Sequence, residues 1–394
     1  SCRRELSPPP AETLRPASPK NLKPSVFEKS ALWNSFSFST QWNLRDIKRN
    51  KARTGMGIIG VAGCTMLMLA AFGCLDSINF ITDWMYGELN TCSYQIIMES
   101  FVPYSDVYDY AKKYKGQMME NESADFRFNG IKKTGTVSII DNGNYMHFQD
   151  EDYSHTELTQ SGIAMSYKMA QSLGMRKGDF VTWNLTGDDE VHTDRIVQIY
   201  RNPGTQGITM RRKVYEKHEY KFKPTIIMTN MDPSLDLKED NNVTGVQNTS
   251  EMMESMDKMK EMMYMMMGIL ISAAVILGVV VLYNLGVLSF VEKTKEMATL
   301  KVLGFKSRKI RGILGQQNLW VTISGTLLGI PLGILLLDGI MSDMPESMDY
   351  QGIIYAPSYF YSVIGTFALS IAVSLFLSRK VNTIDMVDAL KGQE

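Results

Sequence analysis

Methionine is the residue type whose crowding most suggests chemistry in this 394-residue chain. One segment carries Met252, Met253, Met256, Met259, Met262, Met263, Met265, Met266 and Met267. Thioether sulfurs are ligands that suit Cu(I), but methionines also form adaptable apolar packing surfaces. Histidine and cysteine are absent nearby, and the methionines spread around the predicted helix. The sequence therefore favours packing and predicts no metal site.

The histidines are the next candidates for metal or acid–base chemistry, at His147, His155, His192 and His218. The first two lie near three carboxylates, Asp150, Glu151 and Asp152. A hydrolytic zinc site would need tighter spacing such as HExxH, which the sequence lacks. It also lacks the GxSxG nucleophile motif and the GxxxxGK[ST] phosphate loop. We therefore predict a solvated acidic loop and no catalytic residue, and any ATP dependence must come from a partner chain.

Small residues at four-residue spacing indicate a surface for close helix packing. Gly325, Gly329 and Gly333 lie in one apolar block, where small side chains let another helix backbone approach. Pro331 inside this series predicts a kink. The neighbouring helix could belong to the same chain or to a dimer mate, and the spacing leaves both open.

A charged segment between two apolar blocks combines acids with an apolar stripe. Glu292 and Glu296 lie one helical turn apart. Met297, Leu300 and Leu303 follow at helical spacing, and Gly304 suits a helix C-cap. The pattern predicts a short amphipathic helix on the inner membrane face, which offers acids and apolar residues to a partner. On composition alone, a helix that merely lies in the interface fits equally well.

Four apolar blocks must position these residues, and the near-neutral mean hydropathy of −0.12 hides them. They run from Gly55 to Leu75, Tyr264 to Phe290, Gly312 to Leu337 and Ile353 to Ser378. Each reaches the roughly 20 residues that cross a bilayer as a helix. Ionisable groups are almost absent at mid-depth, which argues against a proton-coupled transporter or an ion channel.

Flanking charge predicts the orientation of these blocks. Basic residues precede the first block, separate the second from the third and follow the fourth. The loop between the third and fourth blocks carries no Lys or Arg but four acids, Asp338, Asp343, Glu346 and Asp349. The positive-inside rule then places both termini and the middle loop in the cytoplasm. The fold class predicted is a membrane protein with four transmembrane α-helices and an α+β extracytoplasmic domain inserted between helices 1 and 2.

The predicted order of segments has ten parts. A Pro-rich disordered segment (1–25) precedes a basic amphipathic interfacial helix (26–54), for which an ordinary linker is the alternative. The apolar stripe of this helix would hold Leu32, Trp33, Phe36, Leu44 and Ile47. Then follow the first span (55–80), the extracytoplasmic domain (81–258), a stalk with the second span (259–290), the coupling-helix loop (291–311), the third span (312–337), a short outer loop (338–352), the fourth span (353–378) and a cytoplasmic tail (379–394).

Within the inserted segment, strand and helix patterns alternate. β-branched and aromatic runs predict strands at 94–98, 136–140, 180–185, 195–200 and 225–229. Helices are predicted at 107–115 and 164–173, and Gly174 and Gly178 mark the turn that follows. From position 251 the pattern is again helical and runs straight into the second span, which predicts one long helix rising above the membrane.

At this point the sequence resembles a known family. VLYNLGVLSFVEKTKEMATLKVLGF is similar to the second span and coupling helix of FtsX/MacB-type permeases, the membrane subunits of type VII ABC systems. The family motif maps onto Asn284, Glu292, Lys293, Glu296, Met297, Leu300, Lys301, Leu303 and Gly304. GIAMSYKMAQSLGMRKGDFVTW resembles part of the family's outer domain, and IDMVDALK resembles its C-terminal tail. Residues 42–73 look like the start of the second module of large two-module permeases. The resemblance covers most of residues 30–394.

The resemblance implies a non-catalytic permease subunit in a bacterial cytoplasmic membrane. Its expected partners are a LolD/MacB-type ATPase that binds ATP and Mg, a second permease module or homodimer mate, membrane lipids, and an unknown extracytoplasmic substrate or protein. No cofactor in this chain and no nucleic acid are expected. Family members extract lipoproteins, expel antimicrobial peptides or activate cell-wall hydrolases by mechanotransmission, in which ATP hydrolysis moves the outer domain. The chain departs from the pattern in its Met-rich segment and in lacking a long coiled stalk. A membrane-anchored receptor or sensor with no energy coupling is the alternative.

Overall fold

A computed structural model describes residues 37–234, 236–237 and 240–379 of the chain. In chain order its helices are α1 (Phe38–Arg49), α2 (Lys51–Asp83), α3 (Tyr104–Lys113), α4 (Tyr167–Leu173), α5 (Arg212–Tyr215), α6 (Thr249–Val302), α7 (Ser307–Ser342) and α8 (Ala356–Arg379). A π-helical turn (Trp84–Leu89) extends α2, and a short 3-10 turn (Glu216–His218) follows α5.

Four of these helices contain stretches long and apolar enough to cross a membrane. The candidate spans are Lys51–Leu89, Thr249–Leu288, Gly315–Ser342 and Ala356–Leu377. A sheet-rich domain, called here the inserted domain (residues 90–248), lies between the first and second of them. This arrangement agrees with the four helices and the domain between helices 1 and 2 that the sequence predicted.

The described chain divides into two compact units. One contains α1, the beginning of α2, residues 279–325 and the end of α8 from residue 367. The other contains the inserted domain together with residues 62–89, 249–278 and 326–366. The inserted domain therefore belongs to the same compact unit as the adjoining segments of four helices.

The strands of the inserted domain are short except for two. They are β1 (Tyr94–Met98), β2 (Gln117–Phe128), β3 (Ile131–Ile140), β4 (Phe148–Gln149), β5 (His155–Thr156), β6 (Ile163–Ser166), β7 (Phe180–Leu185), β8 (His192–Tyr200), β9 (Gly207–Arg211), β10 (Ile226–Thr229) and β11 (Val243–Asn248). Nine of them form one sheet in the order β11-β1-β10-β2-β3-β9-β6-β8-β7.

The sheet closes on itself because β7 also pairs with β2. One edge of β2 pairs with β10 at Gln117–Met119, and the same strand pairs with β7 further along at Ala124–Arg127. Six strands thus form a closed ring, which removes the exposed edges that would otherwise invite pairing with other chains. The ring encloses a core with Phe126, Ile139, Met165, Trp183 and Ile208 at its centre, none more than 1% exposed.

The predicted strands largely coincide with observed ones, whereas one predicted helix is partly wrong. Strands at 94–98 and 180–185 have the predicted bounds, and the other three lie within one residue of an observed strand or inside it. Residues 163–166 form β6, so the helix predicted at 164–173 begins only at Tyr167. Apolar Ile163, Ala164 and Met165 are fully buried in the sheet, and tertiary packing therefore overrides their helical pattern.

The segment predicted as a separate cytoplasmic helix is continuous with the preceding span. Helix α6 runs without interruption from Thr249 to Val302, so residues 291–302 form its last turns instead of an independent element. Nothing in residues 268–302 breaks the helix, and the chain turns at Gly304, whose φ is +90°. Only residues 303–306 separate α6 from α7, so the predicted loop at 291–311 is wrong in this respect.

The predicted N-terminal amphipathic helix (26–54) is described only from residue 37 onward. Its described part, α1, begins at Ser37, whose hydroxyl accepts a hydrogen bond from the N–H of Thr40 over 3.4 Å. The face that α1 buries is polar, at Thr40, Asn43 and Asp46. Predicted stripe residues Leu44 and Ile47 are half-buried, and the other stripe residues, the 1–25 segment and the C-terminal tail after residue 379 lie outside the described residues.

Candidate functional site

The C-terminal end of α2 is fixed to the inserted domain by buried polar contacts. Indole Nε1 of Trp84 donates to Oε1 of Gln149 over 2.6 Å, and Nε2 of Gln149 donates to Glu88 over 2.8 Å. Trp84 and Gln149 are each 2% exposed. Ring centroids of Phe80 and Tyr153 lie 5.5 Å and 5.4 Å from that of Trp84. The helix end is therefore held by hydrogen bonds with defined geometry as well as by aromatic packing.

A buried ion pair continues this contact to the loop between α7 and α8. Arg201 follows β8, and its backbone N–H donates to the carbonyl of Gln149 over 2.8 Å. Its Nη1 lies 3.1 Å from Oδ2 of Asp349, with 10% and 2% of the two side chains exposed. The Arg201 guanidinium also lies over the rings of Tyr153 and Tyr167, at 4.9 Å and 3.9 Å.

Asp349 is held from several directions. Its backbone N–H donates to the carbonyl of Pro203 over 3.1 Å, and Gln351 donates to its other carboxylate oxygen over 2.6 Å. Burial raises the pKa of Asp349, and the charge of Arg201 opposes that shift. A buried carboxylate with a paired guanidinium and a further donor meets the conditions under which charges are tolerated away from water. We call Trp84, Gln149, Tyr153, Arg201 and Asp349 the junction cluster.

The other unit has its own buried carboxylate, Asp46 of α1. It lies 3.1 Å from Arg49 and 3.2 Å from Arg53, and it accepts hydrogen bonds from Asn50 and, over 2.9 Å, from Gln317 of α7. Amide groups connect the same two helices elsewhere, from Asn43 to the Ile313 carbonyl and from Gln316 to Thr40. The amides at the start of the third span thus bond to neighbouring helices, and Asn318 does the same by donating to Ser374 of α8.

The predicted packing glycines of α7 all lie against α2. A Cβ built on Gly325 would lie 2.6 Å from Cβ of Val61, and one on Gly329 would lie 2.6 Å from Cβ of Thr65. At Gly333 the nearest atom is Cβ of Leu69 at 3.0 Å. The α7 glycines and the α2 residues that they face both recur every four residues, so one face of α7 packs against one face of α2 at each successive helical turn. Pro331 lies inside α7, which remains continuous.

The predicted coupling residues lie in one helical segment, the last turns of α6. Backbone positions 292–302 are helical, whereas the side chains of Glu292, Lys293, Glu296, Met297 and Leu300 are outside the described set. Leu303 and Gly304 follow in the turn, and Leu303 is 70% exposed. The structure thus places all seven positions on 13 consecutive residues at the same end of the helix, next to exposed Lys306 and Lys309.

Comparison with known proteins assigns the part of the chain that carries these positions. Residues 268–386 match the family model of the FtsX-like permease C-terminal domain. This part of the chain is similar to the C-terminal domain of FtsX-like permeases. No curated protein matches the chain.

The match confirms the resemblance to FtsX/MacB-like permeases, and it covers α7, α8 and the second half of α6. Permeases of this family generally work with an ABC ATPase partner and are generally non-catalytic themselves. Together with the four apolar helices, the match indicates a multi-pass membrane protein. The FtsX-like domain contributes Asp349 to the junction cluster, while Trp84 and Arg201 lie outside the matched residues.

Sequence analysis missed the junction cluster and the Asp46 network. Asp349 entered only as one of four acids that set orientation, and Arg201 only as the residue after a predicted strand. A signal was nevertheless present, because Asp46 is the single acid between residues 37 and 54, a segment with five basic residues. An isolated carboxylate in such a segment is expected to be paired.

Proposed function

We propose that this chain is the permease subunit of an FtsX/MacB-type ABC system. A partner ATPase of the LolD/MacB type would bind ATP and Mg, and the chain would convert its closure into movement of the inserted domain. The proposed setting is a bacterial cytoplasmic membrane, with both termini and residues 291–311 in the cytoplasm and the inserted domain outside. A second permease module or a second copy would complete the assembly.

The observation that carries this proposal is the junction cluster. A mechanical device needs a rigid connection between the part that is driven and the part that acts. Here the inserted domain and the adjoining helix segments are linked by Trp84–Gln149 and Arg201–Asp349, both buried and hydrogen-bonded. Breaking a buried ion pair on one side typically costs about 3–5 kcal/mol, so such a link should follow the helices when they move.

The second support is the FtsX-like match itself, which contains the end of α6. We propose that Glu292, Lys293 and Glu296 meet basic and polar groups of the ATPase. Met297, Leu300 and Leu303 would supply the apolar contact, and Gly304 would end the helix there. A carboxylate buried against Arg at an interface can matter by about 2–5 kcal/mol when it is truncated.

Energy coupling is tested with the complex purified in detergent from its native membrane. Glu296→Lys and Leu300→Asp should abolish stimulated ATP hydrolysis and reduce recovery of the ATPase. Glu296→Lys adds charge repulsion, and Leu300→Asp places a charge in an apolar contact surface. Lys306→Ala, a change of an exposed residue in the following turn, serves as the control and should behave as wild type. If both variants retain stimulation and partner recovery, the coupling assignment is wrong.

Transmission is tested separately by hydrogen–deuterium exchange of the same complex. We expect exchange in residues 90–248 to differ between the nucleotide-free complex and one trapped with an ATP analogue. A receptor or sensor without energy coupling would show no dependence on nucleotide in this domain, and that result would favour the alternative function.

A further inference from the structure

An open cleft lies where the π-helical turn after α2 meets the hairpin of β4 and β5. Its volume is about 580 Å³, within the range of small-molecule sites in proteins. The residues that line it include Glu88, Thr91, His147, Phe148, His155 and Glu157. π-helical turns often occur at functional sites, and this one carries Trp84 of the junction cluster at its start and Glu88 near its end.

The charge of the cleft is negative. Every charged side chain in its lining is a carboxylate, and Glu88 and Glu157 are exposed to solvent. The turn between β4 and β5, two strands whose residues line the cleft, carries Asp150, Glu151 and Asp152. The hydroxyl of Ser154 donates to Asp150 and holds the pKa of that carboxyl below its ordinary value.

The polar groups of the cleft are positioned by the surrounding structure. Buried Gln149 donates to Oε2 of Glu88 over 2.8 Å, which leaves the other carboxylate oxygen for a ligand. The backbone N–H of His147 donates to the Leu89 carbonyl over 2.8 Å. The hydroxyl of Thr91 lies 3.4 Å from Nε2 of His147. Both walls are therefore joined by backbone pairing, and the carboxylate is oriented by a residue of the junction cluster.

The two imidazoles add acceptors and an aromatic surface. Rings of His147 and His155 are edge to face, with centroids 6.5 Å apart, and Phe148 at the base is 5% exposed. A neutral imidazole carries one nitrogen that accepts a hydrogen bond. The lining thus combines anionic and neutral hydrogen-bond acceptors, which is the complement of a hydrogen-bond-donating cation.

We propose that this cleft binds an organic cation that carries ammonium or guanidinium groups. An anion would meet only carboxylates among the charged lining residues. A metal ion fits less well, because within the part of the chain that the structure describes no three His, Cys, Asp or Glu side chains are grouped to hold one. The cation could come as a free polyamine or as a basic side chain of a peptide, and both present the same donors.

Binding is measured by isothermal titration calorimetry on the full chain in detergent at low ionic strength. The probes are spermidine, as a free polyamine, and a capped Arg-Gly-Arg peptide, as a source of basic side chains. We expect saturable binding of at least one probe, weakened at least tenfold by Glu157→Gln and by Glu88→Gln. Binding should also weaken at 0.5 M salt, because exposed charges are screened.

Glu190→Gln is the matched control, since Glu190 is an exposed carboxylate of the same domain in the β7–β8 hairpin. It should bind the probes as wild type does. Thermal melting of every variant checks that it is folded. If either Glu157→Gln or Glu88→Gln unfolds, the other of these two variants provides the test. Absence of saturable binding, equal binding by all three variants, or binding of Zn²⁺ alone would each overturn the proposal. Such a failure would leave the ATPase coupling untouched, because that experiment measures a different activity.

Discussion

Replacing Gly329 by alanine tests whether the α2–α7 contact is as close as the structure describes. An alanine Cβ would lie 2.6 Å from Cβ of Thr65, 2.8 Å from the carbonyl oxygen of Ala62 and 3.2 Å from its Cα. Two of these three atoms belong to the α2 backbone, which cannot rotate away as a side chain can. The helices must therefore separate locally.

The size of the effect follows from two opposing terms. Overpacking a well-packed contact typically costs about 1–3 kcal/mol, whereas replacing glycine by alanine in a helix gains up to about 1 kcal/mol. A variant at Gly315 of the same helix distinguishes the two terms, because a Cβ at this position would have no other atom within 4 Å. Gly315→Ala retains the helix gain without the clash. We therefore expect the two variants to differ by about 1–3 kcal/mol in the free energy of unfolding.

The assay is denaturant unfolding of the full chain in detergent, followed by circular dichroism, with the wild type beside both variants. Gly329→Ala should unfold at a lower denaturant concentration than Gly315→Ala, and shortening Thr65 to alanine as well should not restore stability, because alanine keeps the Cβ atom that lies 2.6 Å away. Equal stability of the two glycine variants would refute the close approach of α2 and α7. If Gly329→Ala instead abolished a dimer and left stability unchanged, the glycines would belong to an interface between two copies of the chain.

Three further predictions concern other buried groups. Asp349→Asn should destabilise the chain by about 3–5 kcal/mol, because it leaves the Arg201 guanidinium buried without its counter-charge; a thermal melt unchanged from wild type would contradict the ion pair. Burial raises the pKa of Glu120 to about 7 from 4.5, so its contribution to stability is fully present below pH 4.5 and is lost as pH rises through about 7. Glu120→Gln should therefore lose less unfolding free energy between pH 5 and pH 8 than wild type does, and an identical pH profile would count against the shift. Changing four methionines to leucine should cost less than about 1.5 kcal/mol in total and leave Cu(I) binding undetectable before and after, since the two side chains are similar in volume; stoichiometric Cu(I) binding by the unchanged chain would instead support a metal site at Met252, Met253, Met256 and Met259.

Sequence patterns predicted the strands and helices whose structure follows from their local sequence. Strands such as β1 and β7 are rich in aromatic and β-branched residues, and the apolar blocks are long enough to be helices by composition alone. Strand β2 was missed because it carries Glu120, Glu122, Asp125 and Arg127. Its first four residues are all buried, although they do not alternate. That pattern arises because β2 pairs with three different strands, which local sequence does not reveal.

Sequence also could not predict which polar residues are buried. The stripe proposed for α1 relied on Leu44 and Ile47, yet the face that α1 buries holds Asn43 and Asp46. Apolar periodicity indicates a packing face only where the neighbour is apolar. Here the neighbour is the start of α7, which offers Gln316 and Gln317, and the pairing of amides with a carboxylate reverses the usual pattern.

Two of the buried carboxylates, Asp46 and Asp349, pair with arginine and so limit how the helices around them can move. Apolar helix contacts can slide with small changes in energy, since dispersion has little directional preference. A hydrogen-bonded ion pair cannot slide in this way. A displacement of about 1 Å would already break its hydrogen bonds, and the two charges would stay buried without a partner. Each unit should therefore move as a body around its own carboxylate. Because the inserted domain shares a unit with residues 326–366, a displacement of the α7–α8 loop would carry the domain along through Arg201 and Asp349. If the proposed coupling to an ATPase operates, we expect the whole inserted domain to move with its internal sheet intact, and not a rearrangement of its strands.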